Sequence, residues 1–209
     1  MTAHDSRDAF HIGGFILAGG ESKRMGRDKA FIEFAGRPLI LRMVRLMEPV
    51  VGTPTVIGRD ERFGQLGLHP FPDDTPGLGP LGGIATALRI TAHPWNLIVG
   101  CDQPFLTTEW LRYLAGRAAS AFTDVLVPQS DGGDEPLCAV YHKRCGAVID
   151  SAIARGIRKV TTALTGLRLE RIARSESRAF DPDGLLFNNI NSPSDYDEAL
   201  ARMKRGENA

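Results

Sequence analysis

The sequence predicts an α/β fold in which a mostly parallel sheet is flanked by helices, and three observations predict it. Apolar runs of strand length alternate with segments of helical period. The 209 residues, 43% hydrophobic and 24% charged, suit one globular domain with a sizeable core and are too few for two comfortable ones. A glycine-rich polar loop, LAGGESKRMGRDK (17–29), begins where the first apolar run ends. Residues 1–12 are expected to form a polar N-terminal extension and 13–209 the single domain.

Taken in order, GFILA (14–18) is the first expected strand. After the glycine loop, FIEF (31–34) reads as short and extended, and GRPLILRMVRLMEPV places Leu39, Ile40, Met43, Val44 and Met47 at helical spacing. TPTVIG (53–58) is a second core strand. HPFPDDTPGLGPLGG is too rich in Pro and Gly for regular structure, so the next helix is expected to start at Ile84, Ala87 and Leu88. WNLIVGCD (95–102) is the most strand-like stretch. TTEWLRYLAGRAA (107–119) opens with threonines suited to capping, ahead of a helical face of Trp110, Leu111 and Leu114. DVLVPQ and PLCAVYH supply two strands around SDGGDE. CGAVIDSAIARG reads as helical, LRLERIA as extended, and SPSDYDEALARMKR as a terminal helix capped at Ser192 or Ser194. No internal repeat or linker interrupts the series.

Composition excludes several functions. With 25 basic and 25 acidic residues the chain has no global pull on nucleic acid or an anionic membrane, so neither is an expected partner and any anion must be bound by local cations. Cys101, Cys138 and Cys145 are odd in number and lack C-x-x-C spacing, which suits a reduced, cytoplasmic protein better than a disulfide framework or a zinc site. The start lacks a signal-peptide core, and no apolar run approaches the roughly 20 residues that span a bilayer.

In an open parallel sheet, ligands collect at the carboxyl ends of the strands. Three places there carry polar residues: the loop with Gly19 and Gly20, the pair Asp73 and Asp74, and Asp102 directly after WNLIVGC. Gly19 and Gly20 let backbone N–H groups approach a ligand, and Arg24 and Lys29 neutralise phosphate oxygens at the rim. The spacing is not that of a P-loop, since Ala30 follows Lys29, nor of a G-x-G-x-x-G dinucleotide loop. Cys101 reads as a small buried packer, Trp95 and Trp110 as core, His142 as a strand-end surface residue, and Glu135 as solvated surface, with reach into the site from its loop as the alternative.

LAGGESKRMGRDKAFIEFAGRPL, GPLGGI (79–84), CDQPF (101–105) and NINSPSDY (189–196) together resemble the nucleotidyltransferases that open with L-A-G-G-x-S-x-R-M-G-x-D-K, and within them the molybdenum cofactor guanylyltransferases. The resemblance runs from about residue 13 to about 200, and implies a Rossmann-like nucleotidyltransferase fold. It implies transfer of GMP from GTP to the terminal phosphate of the molybdenum-pterin cofactor, with Mg²⁺ as cofactor. On the matching positions, Leu17, Ala18 and Gly19 hold the guanine and ribose, and Lys29 pairs with the phosphates. Asp73 contacts the nucleotide, with Asp74 a competitor that spacing does not exclude. Asp102 is the metal ligand and, with Arg24 and Lys29, catalytic. Asn189 and Asn191 belong to the pterin side, and Arg158 and Lys159 lie in a further similar segment. VIGRD departs from members that carry an asparagine after the second core strand. Delivery and acceptor proteins for the cofactor are implied partners. Cytidylyl transfer, transfer to a sugar phosphate, and a non-catalytic nucleotide-binding chaperone of the cofactor stand as alternatives.

Overall fold

The computed structural model describes residues 12–19, 28–75 and 77–206. One sheet organises them. Its strands are β1 (Gly13–Leu17), β4 (Thr55–Ile57), β5 (Trp95–Gly100), β6 (Val125–Ser130), β7 (Gly133–Asp134), β8 (Cys138–His142) and β9 (Leu169–Ile172). The order is β4–β1–β5–β8–β6, with β7 and β9 both pairing β6. β4, β1 and β5 run parallel, as do β6 and β9, while β8 enters antiparallel between β5 and β6. The sheet is thus mostly parallel strands, with β8 reversed at its middle and the two-residue β7 reversed at its edge. A small separate hairpin pairs β2 (Glu33–Phe34) with β3 (Arg37–Pro38), and Ala35 and Gly36 turn it at positive φ of 53° and 73°.

Helices cover both faces because the central strands are apolar on both sides. Ile16, Val56, Leu97 and Val99 face a core shared with α1 (Leu39–Val51) and α4 (Thr108–Ala118), through Ile40, Met43, Met47, Trp110, Leu111 and Leu114. The alternate residues Phe15, Leu17, Ile57, Ile98 and Val127 face α3 (Pro80–Ile90) and α5 (Cys145–Ala154). Short helices α2 (Arg62–Gln65), α6 (Val160–Ala163) and α7 (Arg174–Ser177) fill connections, and α8 (Pro193–Gly206) closes the chain. Ile12, at the edge of the expected extension, already packs in the core. Trp95 and Trp110 are buried, as are all three unpaired cysteines. No helix among the described residues is long and apolar enough to cross a membrane.

Two local expectations need correction. α3 begins at Pro80, a turn before Ile84: Pro is pre-set for the first helical position, and the glycines that argue against a helix are there for close packing. A Cβ on Gly82 would lie 2.8 Å from Thr75 Oγ1, and one on Gly83 would lie 3.0 Å from Leu17 Cδ2. FIEF is only half extended, because Asp28 accepts from the Ala30 N–H at 3.1 Å and caps a single 3-10 turn over Lys29–Phe31. Capping works as read elsewhere: Thr107 accepts from Trp110 N–H at 3.2 Å, and Ser192 accepts from Asp195 N–H at 3.2 Å while the Asp195 carboxylate accepts from Ser192 N–H at 2.9 Å.

Candidate active site

The register of the parallel strands levels three chain ends. Leu17 stands opposite Ile57 on β4 and Gly100 on β5, so the residues that follow emerge side by side at one edge. Beyond the strands the ladder continues: Ala18 N–H donates to Ile57 O at 2.9 Å, and Cys101 N–H donates to Leu17 O at 3.1 Å. Leu17 and Ala18 are buried, whereas Gly19 is exposed with open space where a Cβ would stand. Main-chain groups of 17–19 therefore reach the edge with little side chain in front of them. The Arg24 position, with Gly20 and Gly26, lies outside the described residues.

Asp102 follows β5 by two residues, and Gly100 makes room for it. A Cβ at Gly100 would come within 2.9 Å of Asp102 Oδ1. Lys29, presented by the 3-10 turn, donates from Nζ to Asp102 Oδ2 at 3.0 Å and to Asn191 Oδ1 at 2.5 Å. The Lys29 and Asp102 side chains are only 18% and 22% exposed, so bulk water screens the pair incompletely. Asp102 also accepts, through its carbonyl, the Ile190 N–H at 2.9 Å. Segment 189–191 is thereby tied to the end of β5 twice, by backbone and through Lys29. The Asp195 carboxylate, which caps α8, accepts from Asn191 N–H at 2.8 Å and holds the segment from the other side.

Asp73 and Asp74 diverge. The Asp73 carboxylate, half-buried, accepts from Thr75 N–H at 2.9 Å and from the Thr75 and Thr86 hydroxyls at 3.2 Å each. Its carbonyl accepts from Arg59 Nε at 2.9 Å, so the arginine of VIGRD fixes this loop's backbone. Asp74 is exposed and turns to Arg89 at 3.0 Å, which also reaches Asp150 at 3.2 Å. The Asp73 loop runs alongside β4, where a Cβ on Gly58 would lie 3.2 Å from Ala18 O. Lys29, Asp102 and Asn191 meet at one point; Asp73 makes no bond to them among the described residues.

Beside that point opens a cavity of about 950 Å³, within the ordinary size of a ligand site. Asn189 and Asn191 line it with Ser130, Glu135, Arg174 and Arg178. Arg158 and Lys159 do not line it. Glu135 corrects a sequence expectation: it is half-buried at the cavity wall, accepts from Ser130 Oγ at 2.5 Å, and burial pushes its carboxyl above the ordinary value. The sequence signal for it was the short SDGGDE turn between two strands, which folds Glu135 back over the sheet edge. Arg174 and Arg178 carried no signal, since the short helix α7 that Arg174 opens and Arg178 closes is too brief to show a period in the sequence. Cys101 is no nucleophile: burial, with the Asp102 charge beside it, pushes its thiol far up. His142 is half-buried at the end of β8, its ring edge-on to Trp95.

The family described as MobA-like NTP transferase domain matches residues 14–169. The chain belongs to that family. A protein from Pelotomaculum thermopropionicum named probable molybdenum cofactor guanylyltransferase is 35% identical over 187 residues, covering 89% of this chain and 90% of that one. A molybdenum cofactor guanylyltransferase from Desulfosudis oleivorans is 34% identical over 93% of this chain and 97% of its own. Among solved structures, molybdopterin-guanine dinucleotide biosynthesis protein A from Archaeoglobus fulgidus superposes with a TM-score of 0.81 at 28% identity, covering 93% of this chain and 100% of that one. The MobA-like family makes the chain a nucleotidyltransferase.

Proposed function

We infer that this nucleotidyltransferase moves GMP from GTP to the terminal phosphate of the molybdenum-pterin cofactor, releasing pyrophosphate. The observation that carries the reading is the meeting of Lys29, Asp102 and Asn191 where the strand ends adjoin the large cavity. The strand ends suit a nucleotide and the cavity suits a bulkier acceptor. The names borne by relatives at 34–35% identity support the same donor and acceptor.

In this reading the main chain of Leu17, Ala18 and Gly19 holds the guanine and ribose, and Asp73 lies on the nucleotide's other flank. Lys29 neutralises the phosphates, joined by Arg24. Asn191 and Asn189 face the acceptor. The residues fit Mg²⁺: Asp102 offers a hard carboxylate oxygen, and among the described residues no three His, Cys, Asp or Glu form a closed cage. Mg²⁺ commonly takes one or two carboxylates and leaves its remaining positions to phosphate and water. When bound, the ion supplies charge withdrawal at the α-phosphate. Transfer forms a bond from the acceptor's phosphate oxygen to the α-phosphorus and breaks the bond to the β-phosphate. No protein nucleophile takes part, because the attacking group is already an anion; Lys29 and Asn191 contribute by position and charge. Lys29 must leave Asp102 to reach a phosphate, and the phosphate charge supplies the exchange.

Unpaired buried cysteines support a cytoplasmic setting, and proteins that deliver the pterin and receive the dinucleotide complete the proposal. The test is pyrophosphate release on incubation with each NTP, Mg²⁺ and either the molybdenum-pterin cofactor or sugar phosphates. Release with GTP and the pterin acceptor is expected. Preferential release with CTP, or with a sugar phosphate, overturns the assignment of donor or acceptor, and tight GTP binding without release leaves only a chaperone.

A further inference from the structure

Glu135 is a cavity carboxylate that the transfer chemistry does not use. Its backbone is fixed on both sides: its N–H donates to Pro128 O at 2.8 Å, and its carbonyl accepts from Cys138 N–H at 3.1 Å. The side chain lines the cavity half-buried and, among the described residues, receives one hydrogen bond, from Ser130 Oγ to Oε1 at 2.5 Å. No arginine or lysine pairs with it among the described residues. Of the arginines lining the same cavity, Arg174 pairs with Asp131 and Arg202 with Glu198, and Arg178 makes no ion pair with Glu135. Keeping a partly desolvated carboxylate without a cation costs stability, and such an arrangement persists where a ligand brings the missing donors.

Two parallel N–H donors satisfy a carboxylate best. The edge made by a ring N–H and its adjacent amino group on an amino-oxopyrimidine ring supplies them, and guanine and pterin both carry that edge. Position separates the two. Glu135 shares its cavity with Asn189 and Asn191, whereas Leu17, Ala18, Gly19 and Asp73 do not line it. Resting on the acceptor reading above, we propose that Glu135 determines specificity for the acceptor by receiving the amino and N–H edge of its pterin ring, with Ser130 fixing the carboxylate's rotamer.

The test uses the whole protein and two fluorescent probes, hydroxymethylpterin and lumazine, which has an oxo group where pterin has the amino group. Wild type binds the pterin about 10-fold or more tighter than lumazine, the worth of a charge-assisted hydrogen bond. Glu135→Gln erases that preference at an unchanged melting temperature, and raises KM for the pterin acceptor about 10- to 100-fold while KM for GTP stays put. Should Glu135→Gln fail to fold, Ser130→Ala gives the same shift in preference in weaker form. A variant that keeps the pterin-over-lumazine preference, or one whose change appears in KM for GTP, overturns the proposal and leaves the acceptor reading standing. A wild type that binds neither probe and releases no pyrophosphate with authentic acceptor removes both.

Discussion

The proposed nucleotide rim and acceptor cavity meet at Asn191, which lines the cavity and accepts from Lys29, itself paired with Asp102, yet they are built differently. The rim is strand-made: β1, β4 and β5 are in register, and hydrogen bonds from Ala18 and Cys101 extend the ladder past the last strand residues. Its side chains inherit their positions from the core. The cavity is built mostly from connecting chain around 130–135 and 174–191, closed by one side of α8, and is held by a few ties such as Ile190 N–H to Asp102 O and the Asp195 cap. The family match, which ends at residue 169, covers the rim and stops before most of the cavity. Rim positions should therefore govern chemistry, and cavity positions the choice and affinity of acceptor.

The largest expected effect lies at the border. Asp102→Ala should cost on the order of 3 kcal/mol in transition-state stabilisation, read as kcat on a variant that still folds. Near-normal turnover would break the contrast, because the rim would then not own the chemistry. Gly100→Ala sharpens it: the added methyl would press on Asp102 Oδ1, so kcat should fall by about 10-fold. A melting temperature that collapses along with the rate would instead assign Gly100 to the fold. Asn191→Ala removes one of the two partners that Lys29 has among the described residues and one lining residue of the cavity; KM for both substrates should rise, by roughly 3- to 10-fold. A change confined to the acceptor would cut the proposed link between rim and cavity.

The smallest effect concerns stability away from both. Asp124 accepts from Arg144 Nε at 2.5 Å and from Arg168 N–H at 2.9 Å, and the Arg168 bonds foremost hold its carboxyl well below the ordinary value. A carboxyl lowered on folding stabilises above its unfolded value of about 3.9, and that stability drains as pH falls toward the folded value. Asp124→Asn should thus melt earlier than wild type at neutral pH, with the gap closing below about pH 4. A gap independent of pH would show that packing, not charge, is what Asp124 provides.

The same contrast explains what could be read from the sequence. Strand and helix periods located β1, β5, α1 and α4, since their apolar residues are spaced by the geometry that buries them. The strand-end positions of Ala18, Gly19 and Asp102 were legible because they closely follow β1 and β5, whereas Lys29 and Asp73, farther from a strand end, are assigned to the nucleotide through the resemblance. The start of α3 was misread because Gly82 and Gly83 weaken a helix locally, yet serve the close approach of Thr75 and Leu17. Asp73 and Asp74 are adjacent and alike in sequence; only the bonds to Thr75, Thr86 and Arg89 separate them. Glu135 reads as solvated surface in the sequence because, although the SDGGDE turn marks its place, its burial depends on where distant loops fall, which no local period encodes.

The account stands most directly on one measurement, a crystal structure with GTP and Mg²⁺ bound. It predicts a triphosphate running from the main chain of 17–19 to Lys29, with the ion about 2.1 Å from an Asp102 carboxylate oxygen. A triphosphate seated in the cavity beside Glu135, or an ion that leaves Asp102 still paired with Lys29, would contradict it.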